Sequence, residues 1–461
     1  MMRSLVRSAI LVFALAATGF TQISFDFTGS GARARGMGGA FIGVSDDITG
    51  GTWNPAGLWV HEGPKFGLDY GALLPRGESE VGALTQSQSG SWNSVGALSF
   101  LAPLRIRGHQ FVASVSYSSL FEDFSAAYAR RDDTYELPDM LTPEAYYLTV
   151  EQEAHWDPRA LVLGMGTRLS EKVSFGVSAD IYLGSAVART ERITIAENFP
   201  DFDSPQTATA SQRVLGLDTV KYSGFGLTGG LKYTGEKYGV GLIVRAPFTF
   251  KSETDSKIFT NVKYAGLDQP DQSDTTFVDD QLVKYDLPLM FGVGVSYQLT
   301  ERLMWALDAE YRGFEGRDAE VRVSRNLSED TETYEKVETE WRNVFTVRTG
   351  AEYMWETGKS AFPLVPLRAG FAYVPIPSPD IALDAMDAEP TYSSAAGYRF
   401  SAGFGLWWEQ INLDFAYSLS VLDRESYFAL GDLGLNEDFV PVPVEARDRS
   451  HSLSVTFTGH F

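Results

Sequence analysis

From about Lys65 to the C-terminus the chain alternates apolar and polar residues one for one, and that period confines it to β-strands. Val173, Phe175, Val177, Ala179, Ile181 and Leu183 interleave with Ser174, Gly176, Ser178, Asp180, Tyr182 and Gly184. The pattern returns at Trp305, Leu307, Ala309 and Tyr311 against Asp308, Glu310 and Arg312. It returns again at Ile411, Leu413, Phe415 and Tyr417 against Asn412, Asp414 and Ser418. A soluble sandwich also alternates. Here, however, the polar face is rich in glycine and serine with isolated charges, and the connections between segments are strongly unequal. Transmembrane barrels combine these features, with apolar residues toward lipid, a polar lumen, short turns at one end and long loops at the other.

Fourteen segments carry the period, near 65–74, 92–102, 110–130, 158–169, 172–194, 213–234, 237–251, 283–299, 302–314, 341–355, 366–375, 397–408, 410–422 and 447–461. Short connections at Leu104 to His109, Ser170-Glu171, 234–236, Thr300-Glu301, Glu356 to Val365 and Glu409 alternate with long ones at 75–91, 131–157, 195–212, 252–282, 315–340, 376–396 and 423–446. The expected fold is all-β: a transmembrane antiparallel β-barrel of about 14 strands. An even count puts both termini on the short-turn, periplasmic side. Several segments exceed the roughly 9–11 residues a tilted strand needs to cross, so the barrel extends past the lipid.

Aromatic residues gather beside the short turns, at Tyr233 and Tyr238, Tyr297 and Trp305, Tyr353 and Trp355, and Trp407 and Trp408, where an interfacial girdle belongs. If the apolar face meets lipid, then Arg245, Arg348, Arg368 and Arg399 point into the lumen with Asp180, Asp308, Glu310, Glu352 and Asp414. Buried charges need partners. These residues are therefore either a salt-bridge network that also holds Arg33, Arg35, Asp46 and Asp47, or they include an arginine that takes a substrate carboxylate in a forked bond.

The chain has 461 residues, no cysteine and a formal net charge of −22. These values leave out a disulfide framework and thiolate chemistry, and argue against a nucleic-acid partner. Residues 1–19 read as a secretory signal, with Arg3 and Arg7 ahead of a short apolar run from Ala9 to Ala17. That run is short for a membrane anchor. Five scattered histidines show no metal-ligand spacing, so no metal and no cofactor are expected. Gly224, Gly226 and Gly229 imitate a dinucleotide fingerprint but lie inside an alternating segment with no helix to follow, which fits a smooth lumen wall. The acidic stretch with Asp268, Asp271, Asp274, Asp279 and Asp280 reads as a solvated loop rather than a calcium site. No signature of an enzyme such as a barrel-embedded lipase is present.

Ahead of the strands lies a segment that is neither strand nor amphipathic helix. It runs Gly31-Ala32-Arg33-Ala34-Arg35-Gly36-Met37-Gly38-Gly39-Ala40-Phe41, then Asp46-Asp47, then Trp53-Asn54-Pro55-Ala56-Gly57-Leu58. Its glycines permit tight folding and positive φ, and Asn54-Pro55 favours a turn. A compact, small-residue segment before a barrel reads as a plug, here residues 20–63, with 64–461 forming the barrel and its long extracellular loops.

This stretch of about thirty residues resembles the N-terminal signature of the FadL/TodX family of outer-membrane transporters of long-chain fatty acids or aromatic hydrocarbons. The resemblance implies that Asn54, Pro55 and Ala56 match the family's hatch triplet, and Gly36, Gly38 and Gly39 its tight turn. It implies gating by the hatch and exit sideways through a wall gap made by a kink in the third strand, here 110–130. Ser116-Tyr117-Ser118-Ser119 interrupts the alternation there, which suits either a kink or the start of a loop. The partners implied are a long-chain fatty acid or other hydrophobic small molecule, outer-membrane lipid, and the barrel assembly machinery through the terminal Phe461 on the last alternating segment. A monomer is expected. The same opening motif also resembles PorV-type barrels, which act as scaffolds or shuttles of a protein-secretion system.

Overall fold

The structure, a computed structural model, describes residues 29–461 apart from 82–83, 90, 120–127, 138–145, 201–206, 266–269, 327–330, 338–340, 360–361, 384–389 and 429–441. The expected signal at 1–19, the first residues of the expected hatch, and Asp268 lie outside the described residues.

Antiparallel strands follow one another around a closed wall. β1 (Lys65–Val81) and β2 (Leu84–Ser89) form a hairpin, β3 (Trp92–Ile106) and β4 (His109–Ser119) a second, and β5 (Tyr128–Leu137) lies on the far end of β6 (Tyr146–Arg168). β7 (Val173–Pro200) and β8 (Thr207–Thr234) are long and straight-paired. The next four wall positions are each split in two. They are β9 (Tyr238–Arg245) with β10 (Phe248–Ala265), β11 (Gln272–Leu287) with β12 (Met290–Gln298), β13 (Leu303–Arg312) with β14 (Ala319–Asn326), and β15 (Thr331–Val337) with β16 (Val344–Lys359). β17 (Phe362–Leu383), β18 (Pro390–Trp407), β19 (Ile411–Phe428) and β20 (Val442–His460) complete the circuit. β20 pairs with β1 from Lys65↔His460 to Val81↔Val444 and closes the sheet. With each split position taken once, and β2 and β5 set aside as hairpin extensions, the ring has the expected 14 strands.

Pairing of β20 with β1 leaves the sheet without a terminal edge, as backbone polar groups in lipid require. The outer face carries exposed Leu68, Leu98, Phe175, Leu231, Leu307, Phe400 and Leu453. Among the described residues no helix is long and apolar enough to cross a membrane.

The segments expected as long loops are largely strand. β1, β7, β8, β10, β11 and β17 to β20 run well beyond the expected ends, and β5, β14 and β15 lie in stretches read as loop. Past the lipid both faces of a strand are wetted, so the apolar–polar alternation that marks a strand in sequence fades while the backbone ladder continues. The aromatic girdle also needs one correction. Tyr238, Tyr297, Trp305, Tyr353 and Trp355 are exposed on the outer face as expected, but Trp407 turns inward and bonds Asp414.

Candidate functional site: the hatch and the chamber behind it

Residues 29–63 fold into a plug inside the ring, built from a helical turn at Ala32–Gly36, a second at Gly50–Trp53 and a 3-10 turn at Pro55–Val60. The plug has its own small core, in which Ala34, Met37, Ala40, Phe41, Val44 and Trp53 pack together with Ala306 of the wall. Phe41 and Trp53 meet edge to face at 5.9 Å, and the Trp53 indole N–H donates to the Ser30 carbonyl at 3.0 Å. Gly38 and Gly39 have φ of 68° and 80°, a region that a residue with a Cβ avoids. They reverse the chain after the first helical turn.

The wall receives the plug with glycines. A Cβ at Gly370 would lie 2.1 Å from the Gly38 nitrogen, one at Gly241 2.1 Å from the Ile42 carbonyl oxygen, and one at Gly230 2.2 Å from Asn54 Oδ1. Backbone meets backbone at Gly370 and Gly241, and the Asn54 side chain meets backbone at Gly230, a closeness open to glycine alone.

Polar contacts fix the seat. Asn54 Oδ1 accepts the Ala56 N–H at 3.1 Å, and Asn54 Nδ2 donates to the carbonyls of Ile42 (3.1 Å) and Leu231 (3.2 Å). Asn54 thereby ties two parts of the plug and the wall together. Pro55 takes the first position of the 3-10 turn, where its missing N–H costs nothing. Ala56 is fully buried. Asp47 bonds the N–H and hydroxyl of Thr49, and Asp46 accepts from Arg33.

Of the four lumen arginines, Arg368 donates to Glu352 at 2.6 Å and Asp414 at 2.7 Å, and Arg348 donates to Glu310 at 2.9 Å. Arg245 Nε bonds Thr228 Oγ1 and lies 3.9 Å from Asp180. Arg399 is buried on the same inward face of β18. Arg33 joins the plug to this belt with two bonds to Glu352, and it and Arg368 also face the Trp407 ring at 5.4 and 5.5 Å.

Three anchors were not singled out by sequence reasoning in these roles. Asp308, expected only as a lumen charge, accepts the backbone N–H groups of Phe41 and Ile42 at 2.6 and 2.7 Å. Lys232 donates to the Val44 carbonyl. Asp69 accepts from Ser454 and Thr456 and lies 3.5 Å from Arg35, so the closing seam of the barrel also grips the plug. No spacing pattern marks these residues, because each partner pair is far apart in sequence.

Beyond the plug, on the long-hairpin side, buried apolar and aromatic residues gather in the lumen. Ala160, Val162, Tyr182, Ala186, Tyr222, Phe250, Leu287, Phe314 and Val344 form one buried cluster, with Val220, Phe248, Tyr285 and Trp341 packed against it. Tyr182 stacks on Phe248 at 5.0 Å and Tyr222 on Phe250 at 5.6 Å, while Phe314 meets Trp341 edge to face. Arg245 and Arg312 act electrostatically on the Tyr182 side of the cluster. The prolines at 247 and 288 were the available sequence signal, since each marks a break that resets which face of its strand looks inward.

The third strand departs from its expected form. The alternation runs through Ser116, Tyr117 and Ser118, with the serines inward and the tyrosine outward, and Ser116 Oγ bonds Ser99 Oγ at 2.9 Å. Small serines simply replace larger polar residues on the lumen face. β4 leaves β3 after Ala97↔Ser118, while β3 stays with β1 up to Leu73↔Trp92. At that parting Arg159 of β6 reaches across, donating to the Val95 carbonyl at 2.6 Å and Ser94 Oγ at 3.1 Å. Residues 120–127, where the rest of the expected kink falls, lie outside the described residues.

No family model and no curated protein matches the chain. Solved structures do. A FadL homologue of Pseudomonas aeruginosa matches over 94% of this chain and 98% of its own, at 13% identity and a TM-score of 0.56. The toluene transporter TodX of P. putida matches over 95% and 99%, at 14% identity and 0.57. The toluene transporter TbuX of Ralstonia pickettii matches over 95% and 100%, at 15% identity and 0.52. At these identities the likeness is one of fold: the chain has the FadL/TodX type of barrel.

Proposed function

We propose that the chain is an outer-membrane channel that passively admits long-chain fatty acids or other hydrophobic compounds, with both termini in the periplasm. One observation carries the reading: a buried apolar and aromatic cluster lies inside the barrel beyond a plug that is seated by hydrogen bonds and ion pairs. An apolar solute gains about 0.8 kcal/mol for each methylene withdrawn from water. A water-filled pore forfeits that gain, whereas an apolar chamber keeps it. The solved structures that share the fold are described as hydrocarbon channels and toluene transporters, which supports the same class of solute.

In this reading the plug is the gate. Its polar seat can be released and remade, since the hydrogen bonds and ion pairs are joined only by small apolar contacts, such as Ile42 with Ile243 and Met290 and Leu58 with Leu101 and Val112. Exit is sideways, at the parting of β3 and β4 that Arg159 bridges. The protein acts as a monomer, is exported by residues 1–19, and is inserted by the barrel assembly machinery through its terminal Phe461.

Uptake of a labelled long-chain fatty acid and of labelled toluene, in cells lacking their own transporters, tests the proposal. Uptake that appears with the native chain and is altered when Asn54, Pro55 and Ala56 are all replaced, at equal folded barrel, supports it. No uptake of either solute from a folded barrel overturns it and leaves the secretion-scaffold reading.

A further inference from the structure

We infer that the barrel wall has a second lateral mouth, at the level where β9 gives way to β10, β12 to β11 and β13 to β14, through which an uncharged apolar molecule passes from the outer leaflet into the aromatic chamber. The inference rests on the hydrophobic-channel reading above for its solute.

The three breaks are neighbours. The pairs Arg245↔Met290 and Phe248↔Leu287 keep one register, which sets Pro247 opposite Pro288. Neither proline has an N–H, so the ladder loses its donors on both strands at one spot. On the next pair of strands, β12 stays with β13 up to Met290↔Arg312, and β11 resumes with β14 at Tyr285↔Ala319. Residues 313–318 turn away between them. Across this interval the Gly313 N–H reaches the Leu289 carbonyl at 3.5 Å, the outer limit of a hydrogen bond. On their other side, toward β16, the Glu315 N–H is taken by the Asn343 side chain at 3.0 Å, and Asn343 Nδ2 donates back to Glu315 at 2.8 Å. Residues 313–318 are thus held from β16 by side chains, while a single long backbone bond faces Leu289.

Both sides of the break are apolar. Leu289, Phe291, Tyr311 and Phe345 are 50%, 46%, 44% and 54% exposed on the outer face. Leu287, Phe250 and Phe314, only 2%, 1% and 1% exposed, stand immediately inside. The inner cluster is built from apolar and aromatic side chains, and the buried Arg245 and Arg312 beside it are already bonded to Thr228 and Glu310, so an uncharged apolar solute is the one that gains by entering. β9, β12 and β13 have 8, 9 and 10 residues between their short turns and the break. Roughly 9–11 residues cross the hydrocarbon, so the break lies at its outer boundary. It is also remote in the wall from the parting of β3 and β4, with β6, β7 and β8 between them.

The absence of native cysteine makes the test direct. Leu289→Cys with Gly313→Cys places a disulfide across the break, and Phe400→Cys with Leu419→Cys places one across a fully paired part of the wall as control. Proteoliposomes carrying an uncharged alkyl diazirine in the bilayer are illuminated, and labelled residues are mapped by mass spectrometry. Labelling of Phe248, Leu287 and Phe314 is expected in the native chain, lost in the oxidised Leu289–Gly313 variant, restored on reduction, and unaffected by the control pair. A second variant, Pro247→Val with Pro288→Val, restores two donors and should lower the same labelling without any oxidant. Chamber labelling that persists through the cross-link and the proline replacements overturns the mouth, as does a native chamber that takes no label. The readout needs no transport, so absent uptake in cells would sink the channel reading while labelling still reports on the mouth.

Discussion

Arg33 of the plug and Glu352 of the wall are joined by two bonds, Nε to Oε2 at 2.9 Å and Nη2 to Oε1 at 2.8 Å. Burial works against the charge of Arg33, and Asp46 and Glu352 outweigh it, so the guanidinium holds its proton more firmly than a free one. The forked geometry fixes direction as well as distance. It makes this pair the clearest tie between plug and barrel.

Glu352→Gln removes the charge that Arg33 and Arg368 share. Breaking a buried pair from one side costs about 3–5 kcal/mol, so the plug should undock in a measurable fraction of molecules. Single-channel conductance in planar bilayers should rise. Glu356→Gln touches an exposed pair with Arg302 at 3.3 Å and should leave conductance unchanged.

Gly229 and Gly230 are adjacent but face opposite ways. A Cβ at Gly229 meets nothing within 4 Å, whereas one at Gly230 falls 2.2 Å from Asn54 Oδ1. Gly230→Ala should expose the plug to protease added from the periplasmic side, and Gly229→Ala should not. Equal cleavage of the two would contradict the close seat of the plug.

Asn54→Ala removes one acceptor and two donors, and leaves the carbonyls of Ile42 and Leu231 without these partners. Each lost buried bond costs about 1–3 kcal/mol. Asn54→Asp keeps the acceptor toward Ala56 but turns a negative oxygen toward both carbonyls. It should therefore destabilise the plug at least as much, which thermal protection of the plug against proteolysis would register.

His61 gives the plug a pH dependence. It is 3% exposed, its Nε2–H donates to the Asp47 carbonyl at 3.1 Å, and burial, with Lys65 adding to it, pushes its pKa down to about 4. An unfolded histidine titrates near 6.5, so the folded plug favours the neutral ring. That contribution is fully present above about pH 6.5 and is lost as pH falls toward about 4, on the order of 3 kcal/mol in all. Plug release measured from pH 7 to 4 should show this loss in the native chain, and His61→Gln should flatten it.

Much of this was legible in the chain itself. The fourteen wall strands stood out wherever one face met lipid, and the glycine-rich stretch announced a plug because no strand or amphipathic helix tolerates it. The inward direction of Arg245, Arg348, Arg368 and Arg399 also followed from alternation. The far halves of β7, β8, β10 and β11 did not stand out, since water on both faces leaves no pattern to read. Nor did Asp69, Lys232 and Asp308 as plug anchors, whose partners come from distant parts of the chain.

The chamber marks the division most sharply. Period two by itself determined that the wall is made of strands with one apolar face, because successive side chains on a strand must point to opposite sides. Carried past Leu242 and Val244, which face outward, it sends Phe248 and Phe250 into lipid, and carried back from Phe291 and Leu289 it sends Leu287 and Tyr285 there too. The structure turns all four inward. Pro247 and Pro288 lie opposite each other and cannot pair, and the two strands turn over together there while their register is kept. Which face then looks into the lumen was decided only by the joint turn-over of two facing strands, a relation between segments that no single segment contains.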